Sequence, residues 1–290
     1  MKSEMTPSRK KIRFPLSAQY GGAVFLLALA SLFAGCQQGR QTEVEEAWTP
    51  SRLESDQPPP ADGREVIQRM ADFMSAQQEL MTEAFVTFAV IQDSGQLLHF
   101  DLLQRVAIRK PDKFYWRTLR DDASVDTAWF SDGRFTMFKQ PANLWGQIDG
   151  PKTFYEMVTL LVEEYDIDVP FRDLLTKSPT EVWLSEDITS IVYVGEAWVE
   201  GAWSDHVALR KPGVDFEVWV RKGPEPLLAK LAITYSDAEG QPTYTARFRK
   251  WATHLSDSID FDFTPPPDSE RIEVVPVVDV ESILEEETNQ

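Results

Sequence analysis

The chain changes its hydrophobic period several times, and each change marks the boundary of a predicted element. From Val66 to Met81 apolar residues recur about every 3.6 positions, which is typical of one face of an amphipathic helix. Asp62 stands before this stretch and Glu65 follows it by three positions, as in a capping box at a helix N-terminus. The sequence therefore predicts a helix of about 20 residues over 62–81.

After this helix the period falls to two, which favours strands that bury one face. Five segments joined by short turns show this alternation in the first half of the chain: 84–92, 96–110, 113–120, 125–130 and 134–139. Six more follow in the second half: 188–200, 202–211, 214–222, 228–237, 242–253 and 259–266. Because short turns join consecutive strands, we expect neighbouring strands to pair antiparallel.

A helical interlude separates the two sets of strands. Residues 151–165 open with a proline and carry an apolar stripe, so they predict a second helix. Residues 169–179 predict a shorter helix that begins at Pro170 and stops before Pro179. The pattern of 180–187 is ambiguous.

The order of these elements predicts an α+β fold. No strand–helix–strand alternation indicates a parallel sheet, and the helices collect in two places. A sheet of about 11 strands twists and curls strongly. We therefore expect a large curved antiparallel sheet, a half-open barrel, with helices packed on its concave face. Such a concave interior would form an apolar ligand cavity.

Large side chains on the presumed inner face are the candidates to line that cavity. They are Met70, Phe73, Met74, Leu98, Phe100, Leu102, Trp129, Phe135, Met137, Phe216, Val218, Ile233, Tyr235 and Phe248. Two hypotheses stay open. In the first, an empty groove under the methionine-rich helix shields an acyl chain. In the second, bulky side chains fill the groove, and the surface of the domain binds an envelope protein as a sensor.

The N-terminus carries a different pattern. Residues 1–14 are basic and polar, and 23–35 are uncharged and apolar but shorter than the roughly 20 residues that span a membrane. This arrangement predicts a secretory signal. Two small residues then precede Cys36, which resembles the bacterial lipobox, although Phe33 stands where that motif usually has Leu. An acylated Cys36 is the prediction; an ordinary signal peptide cut nearby, or an uncleaved anchor, is the alternative.

These patterns divide the chain into four parts. Residues 1–35 are the predicted signal peptide, and 36–61 are a polar, proline-ended tether with the composition of a disordered segment. The predicted folded domain spans 62–274, and 275–290 form an acidic tail. Gln37 directly after the cysteine favours the outer membrane over retention in the inner membrane.

Charge and cysteine content exclude several classes of function. The net charge of −18 argues against nucleic acid and against docking on anionic lipid by surface charge. A single cysteine allows no intrachain disulfide, and the three histidines stand too far apart for a local metal motif. We therefore expect no metal and no cofactor. Membrane attachment would depend on the acyl groups at Cys36.

The tetrapeptide "WSDH" at 203–206 invites a catalytic-triad hypothesis, which strand geometry argues against. Successive strand residues point to opposite faces, so Ser204 and His206 would share one face and Asp205 would lie on the other. The chain also has no G-x-S-x-G nucleophile elbow. The prediction is a protein that is not an enzyme.

Several segments together resemble the predicted periplasmic protein family called domain of unknown function 2092, which is grouped with the LolA/LolB lipoprotein carriers. They are 93–114, 130–138, 168–175, 194–220 and 261–274. The resemblance covers roughly 62–274. It implies a half-barrel of antiparallel strands closed by helices, which binds a lipid or acyl chain and serves lipid or lipoprotein trafficking in the periplasm. It brings no catalytic residues.

Overall fold

The computed structural model describes residues 62–257 and 259–277. The α-helices of these ranges are α1 (Gly63–Ala76), α2 (Phe154–Glu163) and α3 (Pro179–Trp183). The strands are β1 (Glu79–Ile91), β2 (Leu97–Arg109), β3 (Lys113–Arg120), β4 (Val125–Ser131), β5 (Arg134–Lys139), β6 (Leu144–Asp149), β7 (Ser190–Val199), β8 (Ala202–Lys211), β9 (Val214–Arg221), β10 (Leu228–Thr234), β11 (Thr243–Ala252) and β12 (Glu270–Ile272). The predicted signal peptide, Cys36, the tether and most of the acidic tail lie outside the described residues.

All twelve strands form one open sheet in the order β12-β6-β5-β4-β3-β2-β1-β11-β10-β9-β8-β7. The sheet consists of two antiparallel meanders, β1–β6 and β7–β11, which join where β1 pairs with β11. Short turns connect the strands of each meander, so neighbours in sequence are neighbours in space. Among the strands of the described residues, only β12 pairs parallel, with β6. The predicted curved antiparallel sheet with few helices is confirmed, with twelve strands in place of about 11.

One face of the sheet packs against the helices and is called the inner face. Residues directly opposite each other on paired strands share a face. One such row runs through Leu102, Val86, Ala246, Leu231 and Val218, from β2 across to β9. The main hydrophobic core joins most of this row to the buried sides of α1 and α2.

Helix α1 begins as predicted and ends earlier than predicted. The side chain of Asp62 accepts a hydrogen bond from the Glu65 backbone nitrogen at 3.0 Å, which caps the first turn. The helix stops at Ala76, and the Lys110 amine donates to the carbonyls of Met74 and Ser75 near its end. The residues from 79 onward, predicted as the last helical turn, belong to β1 instead.

Several other predicted elements also differ from the structure. Residues 169–179 form only a single 3₁₀ turn, Arg172–Leu174, because Phe171 adopts a left-handed conformation with φ of 57° that no α-helix can continue through. Pro179 begins α3 and does not follow a helix. Residues 259–266 form no strand in their described part, whereas β6 and β12 were not predicted.

Candidate functional site

An apolar cavity of about 590 Å³ lies over the middle of the inner face, where the two meanders join. Its floor comes from five adjacent strands, β2, β1, β11, β10 and β9. The floor side chains include Phe88, Leu102, Tyr244, Leu231, Ile233 and Phe216. Residues 168–183, the covering segment, close it from the other side with Val169, Pro170, Phe171, Leu174, Val182 and Trp183.

Aromatic contacts hold the covering segment against the sheet. The ring of Phe171 lies 5.1 Å from the ring of Phe248, and Trp183 packs edge-on against Phe216 at 5.7 Å. The indole nitrogen of Trp183 donates to the carbonyl oxygen of Asp173 at 3.1 Å, which ties α3 to the preceding turn. The lid of the cavity is therefore packed in place.

Charged side chains gather at the exposed rim of the cavity. Arg172 lies 3.6 Å from Asp168 and 3.9 Å from Asp173, and Lys211 adds a second cation. At such exposed sites these pairs contribute little stability. The rim of the cavity therefore carries both signs of charge.

Two tyrosines bring neutral hydroxyl groups to the same cavity. Burial is the first cause that raises the pKa of Tyr244 far above its ordinary value, and it also raises the pKa of Tyr235. Both phenols keep their protons at neutral pH. They add hydrogen-bonding capacity without adding charge.

The predicted lining residues divide between the cavity and the packed core. Leu102, Phe216, Ile233 and Tyr235 line the cavity. The fully buried members of the predicted set lie in the core: Met70, Met74, Phe135, Val218 and Phe248. Phe73 and Met137 pack against that core, while Leu98 and Phe100 lie half-buried on the inner face towards one end of β2. The methionines of α1 thus face packed side chains and not an empty groove.

Trp129 is a correction, because it lies on the outer face of the sheet. Its neighbours Ala128 and Phe130 point into the core, so strand alternation turns the indole outwards. There the ring lies 5.0 Å from Phe263, which also lies 5.2 Å from Trp145. The C-terminal segment covers this region, so β4 carries large apolar side chains on both faces. The hydrophobic pattern of β4 therefore does not show which of its two faces is the inner face.

The covering segment was not predicted to be part of the site. Residues 168–175 were identified only as a short helix and as part of a family resemblance, and 180–187 were ambiguous. Pro170 and Pro179 were the available signal, since two prolines bounding a short apolar stretch indicate a structured irregular segment.

The residues of "WSDH" serve structural contacts. Asp205 points inward, is 1% exposed, and receives hydrogen bonds from Arg69 of α1 at 2.7 Å and from the Tyr193 hydroxyl at 3.1 Å. Burial is the largest cause that raises the pKa of Tyr193 to about 12, and the negative charge of Asp205 is the next largest. His206 points outward, where its ring stacks on Trp219 at 4.2 Å. The predicted separation of Asp205 from His206 is confirmed, and no proton relay joins them.

The described part of the chain is an open, mainly antiparallel sheet with helices and an apolar cavity on one face. Residues 63–275 match the family model described as "Predicted periplasmic protein (DUF2092)", and the chain belongs to this family. The predicted family membership is confirmed. No curated protein matches the chain.

Several solved structures are similar to parts of this chain. LprF from Mycobacterium bovis has a TM-score of 0.42 at 11% identity, covering 72% of this chain and 97% of LprF. An uncharacterized conserved protein from Thermus thermophilus scores 0.41 at 10% identity, covering 72% and 98%. The lipoprotein LppX of Mycobacterium tuberculosis scores 0.39 at 12% identity, covering 69% and 97%. Likenesses at this level establish neither a function nor a ligand for this chain.

Within residues 62–257 and 259–277, no helix has the length and hydropathy needed to cross a membrane.

Proposed function

We propose that this protein is a periplasmic lipoprotein that binds an acyl chain of a lipid in the cavity under the covering segment. The observation that supports this function is the size and lining of the cavity: about 590 Å³, walled by aliphatic and aromatic side chains, falls within the roughly 300–1,000 Å³ range of small-molecule sites. The charged rim would face the polar end of the lipid. The role is binding, without catalysis.

The energetics of such a site suit transfer as well as storage. Each methylene buried from water contributes about 0.8 kcal/mol, so a modest number of buried carbons yields useful affinity. A cavity that holds only part of a lipid leaves the rest accessible to a donor or an acceptor. On this basis the protein serves lipid or lipoprotein trafficking.

Attachment to the membrane is the second part of the proposal. Cys36 is acylated and becomes the mature N-terminus when 1–35 are removed, and residues 36–61 tether the domain to the periplasmic side of the outer membrane. An acidic body gains nothing from anionic lipid, so the anchor has to be apolar. Cys36→Ala in the full chain is expected to move the protein from the membrane fraction to the soluble fraction of the envelope. Retention of this variant in the membrane would show that residues 23–35 are the anchor instead.

The binding proposal is tested by mass spectrometry of what the protein carries. The full chain is purified from a bacterial envelope, extracted with organic solvent and analysed for bound lipid. Ile233→Trp places a large ring in the cavity wall, whereas Thr234→Trp places the same ring on the opposite face of β10. We expect lipid at near one-to-one ratio with the wild type and Thr234→Trp, and several-fold less with Ile233→Trp. Folded wild-type protein without lipid would contradict the proposal.

A second candidate, a sensor or protein-binding module of the envelope, is favoured by one observation. Met70 and Met74 are 0% and 1% exposed, so the groove below α1 is filled. Two results together would favour this candidate. The wild-type protein would be free of lipid and would co-purify with an envelope protein. Surface substitutions would reduce the amount of that envelope protein, and Ile233→Trp would not.

A further inference from the structure

Lys211 is a charged exception on the inner face of the sheet. It stands at the end of β8, in the same inward column as Val207 and Leu209, which are 0% and 3% exposed. Its side chain lines the cavity beside Val214, the residue directly opposite on β9. Lys211 itself is half-buried, and such a lysine packs its apolar stem while its amine stays in contact with water. A ligand in the cavity can therefore reach the amine.

The amine of Lys211 has no partner within residues 62–257 and 259–277, where it forms neither an ion pair nor a hydrogen bond. The two carboxylates of the rim, Asp168 and Asp173, lie 3.6 Å and 3.9 Å from Arg172 instead. The preceding residue, Arg210, points to the outer face and donates two hydrogen bonds to Asp215 on β9. Lys211 is therefore a cation that this part of the chain leaves available to a ligand.

A second, smaller cavity of about 250 Å³ lies beside the first. Its lining combines the turn between β8 and β9 with Thr189 and Ser236. Among the described residues, Lys211 alone lines both this cavity and the larger apolar one. Lys211 thus lies between the space for an apolar chain and a second space next to it.

We propose that Lys211 binds the anionic head of a ligand whose apolar chain lies in the larger cavity. The inference rests on the proposed acyl-binding function and narrows the ligand to amphiphiles with a carboxylate or phosphate head. Hydrogen bonds between an ammonium group and an oxygen of such a head are roughly twice as strong as neutral ones. Because the net charge of the chain is −18, a preference for an anion has to come from this local cation and not from the field of the whole protein.

Competition binding with the full-length protein at neutral pH tests this inference. The four competitors share one chain length and differ in the head: palmitic acid, hexadecyl phosphate, hexadecanol and hexadecylamine. We expect palmitic acid, hexadecyl phosphate or both to bind about 10-fold more tightly than hexadecanol, equivalent to about 1.4 kcal/mol. The tighter of the two anions identifies the preferred head as a carboxylate or a phosphate. Hexadecylamine should bind no more tightly than hexadecanol.

Three variants assign the preference to Lys211. Lys211→Met keeps an unbranched apolar side chain without the charge, so the anions should bind about 10-fold more weakly, as hexadecanol does, while hexadecanol binds as before. Lys211→Arg keeps a cation and should keep the preference. The matched control Lys230→Met removes the same charge from the outer face, where the Lys230 amine lies 4.1 Å from the Trp219 ring, and should also keep the preference. Thermal unfolding of each variant checks that the sheet is intact.

The failures of this inference and of the proposed function are distinguishable. If hexadecanol binds and neither anion binds more tightly, the acyl-binding function stands and the inference about Lys211 is wrong. The inference also fails if the preference survives in Lys211→Met or is lost equally in Lys230→Met. Tighter binding of hexadecylamine than of the anions would show that Asp168 and Asp173 select the head instead. If none of the four competitors binds the folded wild type, the acyl-binding function fails together with this inference.

Discussion

The ring of Phe171 packs against the ring of Phe248 with their centroids 5.1 Å apart, and this contact fastens the covering segment to the floor of the sheet. Phe171 makes it from a left-handed backbone conformation with φ of 57°. Such a conformation is costly for a bulky residue and persists only where the surroundings stabilise it. The contact therefore compensates for backbone strain next to the cavity.

Replacing Phe171 should loosen the cavity while the sheet stays folded. Phe171→Ala removes the ring, whose burial is worth roughly 2 kcal/mol, and leaves the strain. Phe171→Gly removes the same ring but adopts positive φ freely, so it should be the more stable of the two variants. Hydrogen exchange should show faster exchange over 168–175 in both variants, with weaker acyl binding. Unchanged exchange there would show that Phe171 does not hold the segment.

The partly buried ion pair between Asp205 and Arg69 should control the docking of α1. Asp205→Ala leaves Arg69 without its carboxylate and Tyr193 without its acceptor, so the free energy of unfolding should fall by about 3 kcal/mol. Chemical denaturation measures this change. The double variant Arg69→Met/Asp205→Leu replaces both charges by apolar groups and should recover much of the loss. A double variant as unstable as Asp205→Ala would contradict this explanation.

Glu79 should contribute to acid sensitivity. Its carboxylate accepts a hydrogen bond from the Leu255 backbone nitrogen at 2.9 Å and one from Arg109 at 2.7 Å, and these contacts hold its pKa below the ordinary value of 4.5. Because the unfolded chain binds the proton more readily, this stabilisation is present above about pH 4.5 and is lost as the pH falls through the lower folded pKa. Glu79→Gln should cost about 1–2 kcal/mol at neutral pH.

The difference between wild type and Glu79→Gln should shrink as the pH falls from about 4.5 through the lower pKa of the folded carboxylate. Urea unfolding at a series of pH values measures it. A constant difference across the series would show that the carboxylate charge at Glu79 is not the cause.

Phe263 should hold the C-terminal segment against the outer face. Its ring contacts Trp129 and Trp145, and β12 follows it along the chain. Phe263→Ala removes the ring that both indoles pack against, so we expect the tryptophan emission to shift to longer wavelength and β12 to exchange faster. Phe88→Ala, on the inner face, is the matched control and should leave β12 unchanged. Unaltered exchange in Phe263→Ala would show that the Phe263 ring does not hold β12 in place.

The strand pattern was predictable from sequence because most of the sheet buries one face only. Phe216 and Val218, like Leu231 and Ile233, alternate with outward residues, and the structure places all four on the inner face. The prediction that Trp129 lies on the inner face was wrong because Phe263 covers this indole on the outer face, so the outer face of β4 carries an apolar side chain too. Alternation locates a strand but does not say which face is inner when both are buried.

The helical predictions failed where one spacing fits two structures. Leu80 and Met81 continue the helical period of α1, yet they also begin the alternation of β1. The pairing of these residues with β2 stabilises the strand instead of the helix.

The cavity itself depends on Phe171 and the covering segment, whose irregular backbone has no period to detect. The sequence indicated an inner face, but it did not indicate which part of that face stays unfilled.

The two ends of the sheet differ, and this limits how copies of the chain can associate. One end finishes in β12, a strand of three residues that offers little backbone for pairing. At the other end β7 has a hydrogen-bonded neighbour on one side only within the described residues, and its register shifts between Tyr193 and Gly195. Two copies joined through β7 would use the same strand on both sides, so growth would stop at a closed pair. The arrangement disfavours fibre formation, which requires two different open ends on each copy.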